Sequence, residues 1–290
     1  MDALSSILYH LLSRKEQNVD YGFFDKAAAV FPDECFARPP DLGVVLGSGW
    51  GEALVKDHVI LRIPYADIPG IGRSTVAGHV GEFVLYERFG RRIAAFCGRR
   101  HWYEGVGWET VVAPVELLRR MGGTRLLLTN AVGGINPALH AGDFVILRDH
   151  INTVGVNPLA GPHREEWGPR FPDMTDVYTK HLRDLLHAAA KACELRIMEG
   201  VYAFTAGPVF ETPAEIRSYA HLGADVVGMS TVPEAVFAHA CGIRVAGLSL
   251  VSNLAAGISP VPLAHEDVIR ASAEAKPVMA KICDAFIASL

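Results

Sequence analysis

Residues 43–51 read GVVLGSGWG, an apolar run of strand length that stops at Gly47-Ser48-Gly49-Trp50-Gly51. A buried strand that empties into glycines ahead of a helix presents unpaired N–H groups and a partial positive charge, which suits an anion. The spacing excludes two familiar loops. A dinucleotide fingerprint needs G-x-G-x-x-G where this is G-x-G-x-G, and a P-loop needs Gly-Lys-Ser/Thr at its end. Two readings stay open from these residues alone: the glycines shape an anion site to which Ser48 adds a hydroxyl donor, or they turn the chain and Ser48 caps a helix.

Working outward, short runs rich in Val, Ile, Leu and Phe recur at 43–46, 83–88, 92–97, 125–129, 144–147, 200–205, 225–228 and 243–251. Stretches of helical character lie at 3–18, 109–121, 178–194, 213–221, 232–241 and 266–289. Such alternation predicts an α/β fold, a single domain with a central mixed, largely parallel twisted sheet flanked by helices. Phe89-Gly90-Arg91 reads as the turn of a hairpin between the second and third strands. With 290 residues, 50% of them hydrophobic, and no linker or repeat, the expected organisation is one domain over 1–290, with 1–40 as an N-terminal helical extension.

Six of the strands end alike. Gly-Ser-Gly follows the first, and GRRHWYEG (98–105), NAVGG (130–134), AGPVFET (206–212), GMSTVPE (228–234) and SNLAAG (252–257) follow others. Open α/β sheets bind ligands in the crevice at the carboxyl ends of their strands, so the repetition of small and polar residues there predicts one composite site. Within GRRHWYEG, Arg99, Arg100 and His101 place cationic donors between two glycines, with Tyr103 and Glu104 adjoining; guanidinium and imidazole match phosphate oxygens. Only one of the two arginines need face inward. His79, a lone histidine between glycines in VAGHVG (76–81), reads by itself as structural.

Composition excludes other classes. Lys and Arg number 27 against 32 Asp and Glu, a formal charge of −5, which argues against wholesale nucleic-acid binding and requires an anionic ligand to find local cations. The five cysteines are widely spaced without C-x-x-C, and the twelve histidines form no metal-ligand pattern. With no signal-peptide order and no apolar run of membrane-spanning length, a cytoplasmic protein is expected.

GSGWG with RSTVAGHVG, GRRHWYEG, TNAVGGINP, GDFVILRDHIN, AGPVFETPAEI, GADVVGMSTVPE and SLVSNLAAG resembles the trimeric purine nucleoside phosphorylases, from about residue 41 to 285. The resemblance implies cleavage of a purine–ribose bond by inorganic phosphate, with inversion, in a cytoplasmic homotrimer that needs no cofactor or metal. Carried over position by position, it implies a phosphate site of Ser48, His79, Arg99, His101, Ser230 and the amide of Ala131. Ribose contacts fall to Tyr103, Met229 and His265, with Phe171 closing a neighbouring subunit's ribose pocket. Base contacts fall to Phe210, Glu211, Val227 and Asn253; Asn253, Glu211 and His101 would be catalytic.

The base contacts carry a specificity argument. A 6-oxopurine has N1–H as a donor to an ionised Glu211, whereas adenine offers a lone pair and would leave a buried carboxylate unpaired, a loss of about 1–3 kcal/mol. Asn253 donating to N7 would tighten as negative charge builds on the leaving base. Inosine and guanosine are therefore the expected substrates, with a xanthosine-preferring or a 5′-methylthioadenosine phosphorylase as alternatives within the family. The sequence departs from the vertebrate pattern at Leu254, where lysine is common, so that NLAAG looks like the bacterial branch; its 152–172 segment is also shorter. Outside the family, a nicotinamide dehydrogenase lacks its third-glycine spacing here, and a non-catalytic purine-binding protein would not need both a phosphate cage and an N7 donor.

Overall fold

The computed structural model describes residues 22–51, 53–54, 57–73 and 81–290, and in them nine strands join one sheet. The strands are β1 (Leu42–Leu46), β2 (Val59–Pro64), β3 (Glu82–Arg88), β4 (Arg91–Cys97), β5 (Arg125–Gly134), β6 (Phe144–Asn152), β7 (Ile197–Phe204), β8 (Val226–Gly228) and β9 (Arg244–Leu254). The α-helices are α1 (Gly22–Ala28), α2 (Glu34–Ala37), α3 (Gly107–Arg120), α4 (Lys180–Ala192), α5 (Pro213–His221), α6 (Val232–Ala240) and α7 (His265–Ser289).

Strand order is β2-β3-β4-β1-β5-β8-β7-β6-β9, and β9 also pairs with β5. The second half of the sheet therefore closes into a ring, β5-β8-β7-β6-β9. Pairings β1–β4, β1–β5, β5–β9, β6–β7 and β7–β8 are parallel; the expected β3–β4 hairpin is antiparallel.

β1 is buried at every position because helices cover both faces of the sheet. Its side chains alternate accordingly. Val45 joins Phe24 of α1, Val112 of α3 and Phe237 of α6 in one core, while Leu42, Val44 and Leu46 join Leu182 and Leu186 of α4 and Ile282 and Phe286 of α7 in the other. A smaller cluster, Ile135, Ala203, Ile216, Val227 and Ala255, lies under α5 beside the ring.

Several expectations change. β2 lies where no strand is predicted, the short helices α1 and α2 lie within residues 1–40, and the predicted helix 3–18 falls outside the described residues. Residues 48–51 form turns, not the start of a helix. NAVGG and part of SNLAAG are strand rather than loop: Gly133 pairs with Asn253 and Gly134 with Leu254, just past a bulge between Val132 and Gly133. Their mutual backbone pairing carries both strands past the residues whose composition reads as loop.

Candidate active site

Where β1 ends, the close approach of β5 dictates glycine. A side-chain carbon on Gly47 would lie 2.6 Å from the Thr129 carbonyl oxygen, and one on Gly49, already at φ +76°, would lie 2.1 Å from Cβ of Ser272 on α7. The turn is then tied to β5: Gly47 N–H donates to Thr129 Oγ1 at 3.2 Å and the buried Trp50 indole to the Asn130 carbonyl at 3.1 Å. Ser48 is thus held at the rim of a cavity of about 380 Å³.

One end of that cavity is rich in donors. Arg99, buried to 1% exposure, donates from Nε to Glu234 Oε1 at 3.0 Å and from Nη1 to the Thr129 carbonyl at 2.8 Å and to Ser230 Oγ at 3.2 Å. Glu234 accepts the Thr231 N–H on its other oxygen at 2.8 Å. Thr231 sits at φ 70°, ψ −50°, and the Val232 N–H reaches the Ser230 carbonyl at 2.7 Å, the geometry of a γ-turn that is strained for a non-glycine residue. Asn130 Nδ2 donates to Thr231 Oγ1 at 2.8 Å, and the buried Tyr202 hydroxyl accepts the Ser230 N–H at 3.2 Å. Ser230 is thereby fixed at its N–H, its carbonyl and its hydroxyl, the last against a full positive charge. Ala131 lines the same end.

His101 completes it. Its ring stacks on Tyr103 at 4.8 Å, and Glu104 Oε1 accepts its backbone N–H at 2.7 Å and faces Nδ1 at 3.3 Å. Burial disfavours the imidazolium and holds the His101 pKa below its usual value in spite of Glu104. Burial also pushes the Tyr103 phenol up to about 12, which keeps it a neutral donor near neutral pH. Arg100 turns elsewhere, donating to Glu104 Oε2 at 2.9 Å and to the Ile71 carbonyl at 2.7 Å.

The same cavity also presents an acceptor and an amide. Phe210 and Glu211 come from the β7–α5 segment, Val227 and Met229 from β8 and the residue after it, Asn253 from β9, and His265 from the first turn of α7; all line the cavity with Tyr103. Thr205 Oγ1 donates to Glu211 Oε1 at 2.7 Å. Ser252 Oγ donates to Asn253 Oδ1 at 2.8 Å, and Asn253 Nδ2 donates at 3.0 Å to the Leu254 carbonyl, which can only accept and so fixes which end of that amide is the donor. Among the described residues His265 Nε2 is buried without a hydrogen-bond partner.

Two residues of the sequence-derived set stand apart from the rest. His79 falls outside the described residues, and Phe171 is 88% exposed and does not line the cavity. Conversely, the sequence reading gives no role to the supporting residues Glu234, Thr205, Tyr202, Asn130 and Ser252, although Asn130, Glu234 and Ser252 lie in the strand-end stretches it singles out. Thr231-Val-Pro-Glu234 also carries a T-x-x-E capping signature; nothing local marks Thr205 and Tyr202, which act across strands.

Strand-end loops of a mixed α/β sheet converging on one cavity that holds a cationic donor cluster, a carboxylate and an amide define a class that the sequence comparisons resolve. The chain belongs to the Phosphorylase superfamily, whose family description matches residues 41–288. It is 42% identical over 263 residues to purine nucleoside phosphorylase 1 of Geobacillus stearothermophilus, covering 91% of this chain and 96% of that one. Among solved structures it is similar to purine nucleoside phosphorylase of Schistosoma mansoni in complex with adenosine (TM-score 0.84, 36% identity, 92% of this chain and 96% of that one). The inosine complex of the Schistosoma mansoni enzyme superposes comparably (TM-score 0.83, 35% identity, 93% and 97% coverage).

Proposed function

We propose that this protein is a purine nucleoside phosphorylase acting on 6-oxopurine nucleosides, inosine and guanosine above all. The observation that carries the reading is one cavity lined by Ser48, Arg99, His101 and Ser230 and also by Glu211 and Asn253. An anion held by the first four faces a purine edge held by the last two, with sugar-sized space between, near Tyr103, Met229 and His265.

In the reaction so written, a phosphate oxygen forms a bond to the anomeric carbon as that carbon's bond to N9 breaks, inverting its configuration. The electron pair moves into the purine, which takes up a proton from water as it leaves; the products are free base and ribose 1-phosphate. Phosphate on one face stabilises the cationic sugar carbon, and its site comprises Ser48, Arg99, His101, Ser230, the Ala131 amide and His79. Asn253 donates to N7 as charge gathers there, so its contact is stronger in the transition state than in the ground state. Glu211 accepts from N1–H and Phe210 and Val227 pack on the base. Nucleophile and leaving group are both substrates, so this chemistry calls for no organic cofactor or metal ion.

The family and the exposed Phe171 support a homotrimer in which Phe171 of one subunit reaches its neighbour's ribose pocket. Among the described residues no helix is long and apolar enough to cross a membrane, and the cytoplasm, where nucleosides and phosphate meet, is the proposed location. The test is to mix the protein with inosine, guanosine, xanthosine, adenosine and 5′-methylthioadenosine, with and without phosphate, and follow base release. Phosphate-dependent release led by inosine and guanosine is expected; release without phosphate, or led by either adenine nucleoside, would overturn the reading.

A further inference from the structure

Thr205 immediately follows β7, and its N–H donates to the Gly228 carbonyl at 2.9 Å, carrying the β7–β8 ladder one residue further. Its backbone is therefore set by the sheet, and its buried side chain has a fixed direction. The chain then leaves the sheet through Ala206–Phe210, of which Ala206, Pro208, Val209 and Phe210 are exposed. Order returns at Thr212, whose N–H and hydroxyl donate to Glu215 Oε2 at 2.7 and 3.0 Å at the start of α5. Glu211 stands at the end of this exposed stretch, and among the described residues Thr205 is the hydrogen-bonding partner of its carboxylate, at 2.7 Å.

We infer that Thr205 is a positioning residue that holds Glu211 as a hydrogen-bond acceptor and so sets the preference for purines carrying N1–H. The inference rests on the function proposed above and names what enforces its specificity. A glutamate side chain has three torsions and little reason to keep one direction at the edge of a cavity. A hydroxyl donor anchored in the sheet pins one carboxylate oxygen, leaving the other to face the ligand as an acceptor. A rotated Glu211 would lose that bias and treat 6-oxo and 6-amino rings more alike. Valine in place of Thr205 keeps the branched shape and deletes the donor.

The test compares the wild type with Thr205→Val and Thr205→Ser, measuring kcat and KM for inosine, guanosine, adenosine and phosphate, with thermal melting to verify folding. The valine variant is expected to lose about tenfold in kcat/KM for inosine and guanosine, in line with a hydrogen bond to a charged group. Adenosine should change less than about twofold and the phosphate KM should hold, while the serine variant restores the wild-type pattern. Equal losses on all three nucleosides, a parallel change in phosphate KM, or no change at all would overturn the role of Thr205. A wild-type protein that releases no base from inosine would instead remove the functional reading beneath it.

Discussion

Arg99 Nε and Glu234 Oε1 meet at 3.0 Å across 135 residues of sequence, each side chain only 1% exposed. A guanidinium this deep is tolerable because its charge is matched, and the pair leaves Arg99 Nη1 directed at Ser230. Glu234 also grips the γ-turn at Thr231, a conformation that costs on the order of 1–3 kcal/mol. One carboxylate thus ties the charge of the proposed phosphate site to its backbone.

Replacing Glu234 with alanine would strand a buried charge, and unfolding free energy should fall by about 3–5 kcal/mol. Glutamine tests function more gently. Its amide offers one acceptor where two donors converge, so Thr231 or Arg99 must shift, and the phosphate KM should rise about tenfold with a smaller effect on nucleoside KM. Denaturant melts of the alanine variant and phosphate saturation curves of the glutamine variant check this; wild-type values in both would refute it.

On the proposed N7 contact, Asn253→Ala removes a donor aimed at charge that develops in the transition state. By analogy with the loss of a single oxyanion donor, kcat should fall about 100- to 1000-fold. Phosphate KM should move by less than about threefold. Steady-state kinetics with inosine decides the matter, and near-normal turnover would rule out an N7 contact.

Glu211→Gln replaces an acceptor-only group with one that can also donate. Inosine and guanosine should lose about 10- to 100-fold in kcat/KM, and adenosine should lose less or gain, because an amide N–H suits the adenine N1 lone pair. Competition between inosine and adenosine in one reaction gives the ratio directly. An unchanged ratio would contradict the acceptor role.

Acid should destabilise the fold through its buried histidines. Burial holds the His101 and His150 pKa values below the ordinary 6.5, overriding Glu104 and Asp149 respectively. Between the lowered folded value and 6.5 the unfolded chain binds more protons, so this contribution to stability is complete above about pH 6.5 and is lost as pH falls through the folded values. Melting temperatures from pH 7.5 down to 5.5 should therefore decline, and His150→Gln, outside the cavity, should flatten the decline. An identical slope in that variant would exclude His150 as a contributor.

Much of this was legible in the sequence because strand-end residues advertise themselves. Glycines and polar residues after β1, β4 and β8 mark where chain leaves the sheet, and Ser48, His101 and Ser230 lie there together. Periodicity failed where backbone pairing overrides composition: Gly133 and Asn253 read as loop, yet each finds its partner in the other strand. β2, with exposed Val59 and Pro64 at its ends, carries no clean alternation. Thr205 and Tyr202 read as ordinary strand residues, since a hydroxyl's task depends on what the fold brings opposite it.

The ring formed by β5, β8, β7, β6 and β9 has a consequence for solubility. A sheet that bites its own tail leaves β2, among the described strands, as the one with a neighbouring strand on a single side. That border is poorly suited to annealing. It is bulged between Val59 and Leu61, carries Arg62 paired to Glu82 at 2.6 Å, and ends at Pro64, which has no amide hydrogen to give. Strand-to-strand stacking of neighbouring molecules is thereby discouraged, and association is left to side-chain surfaces such as the one bearing Phe171.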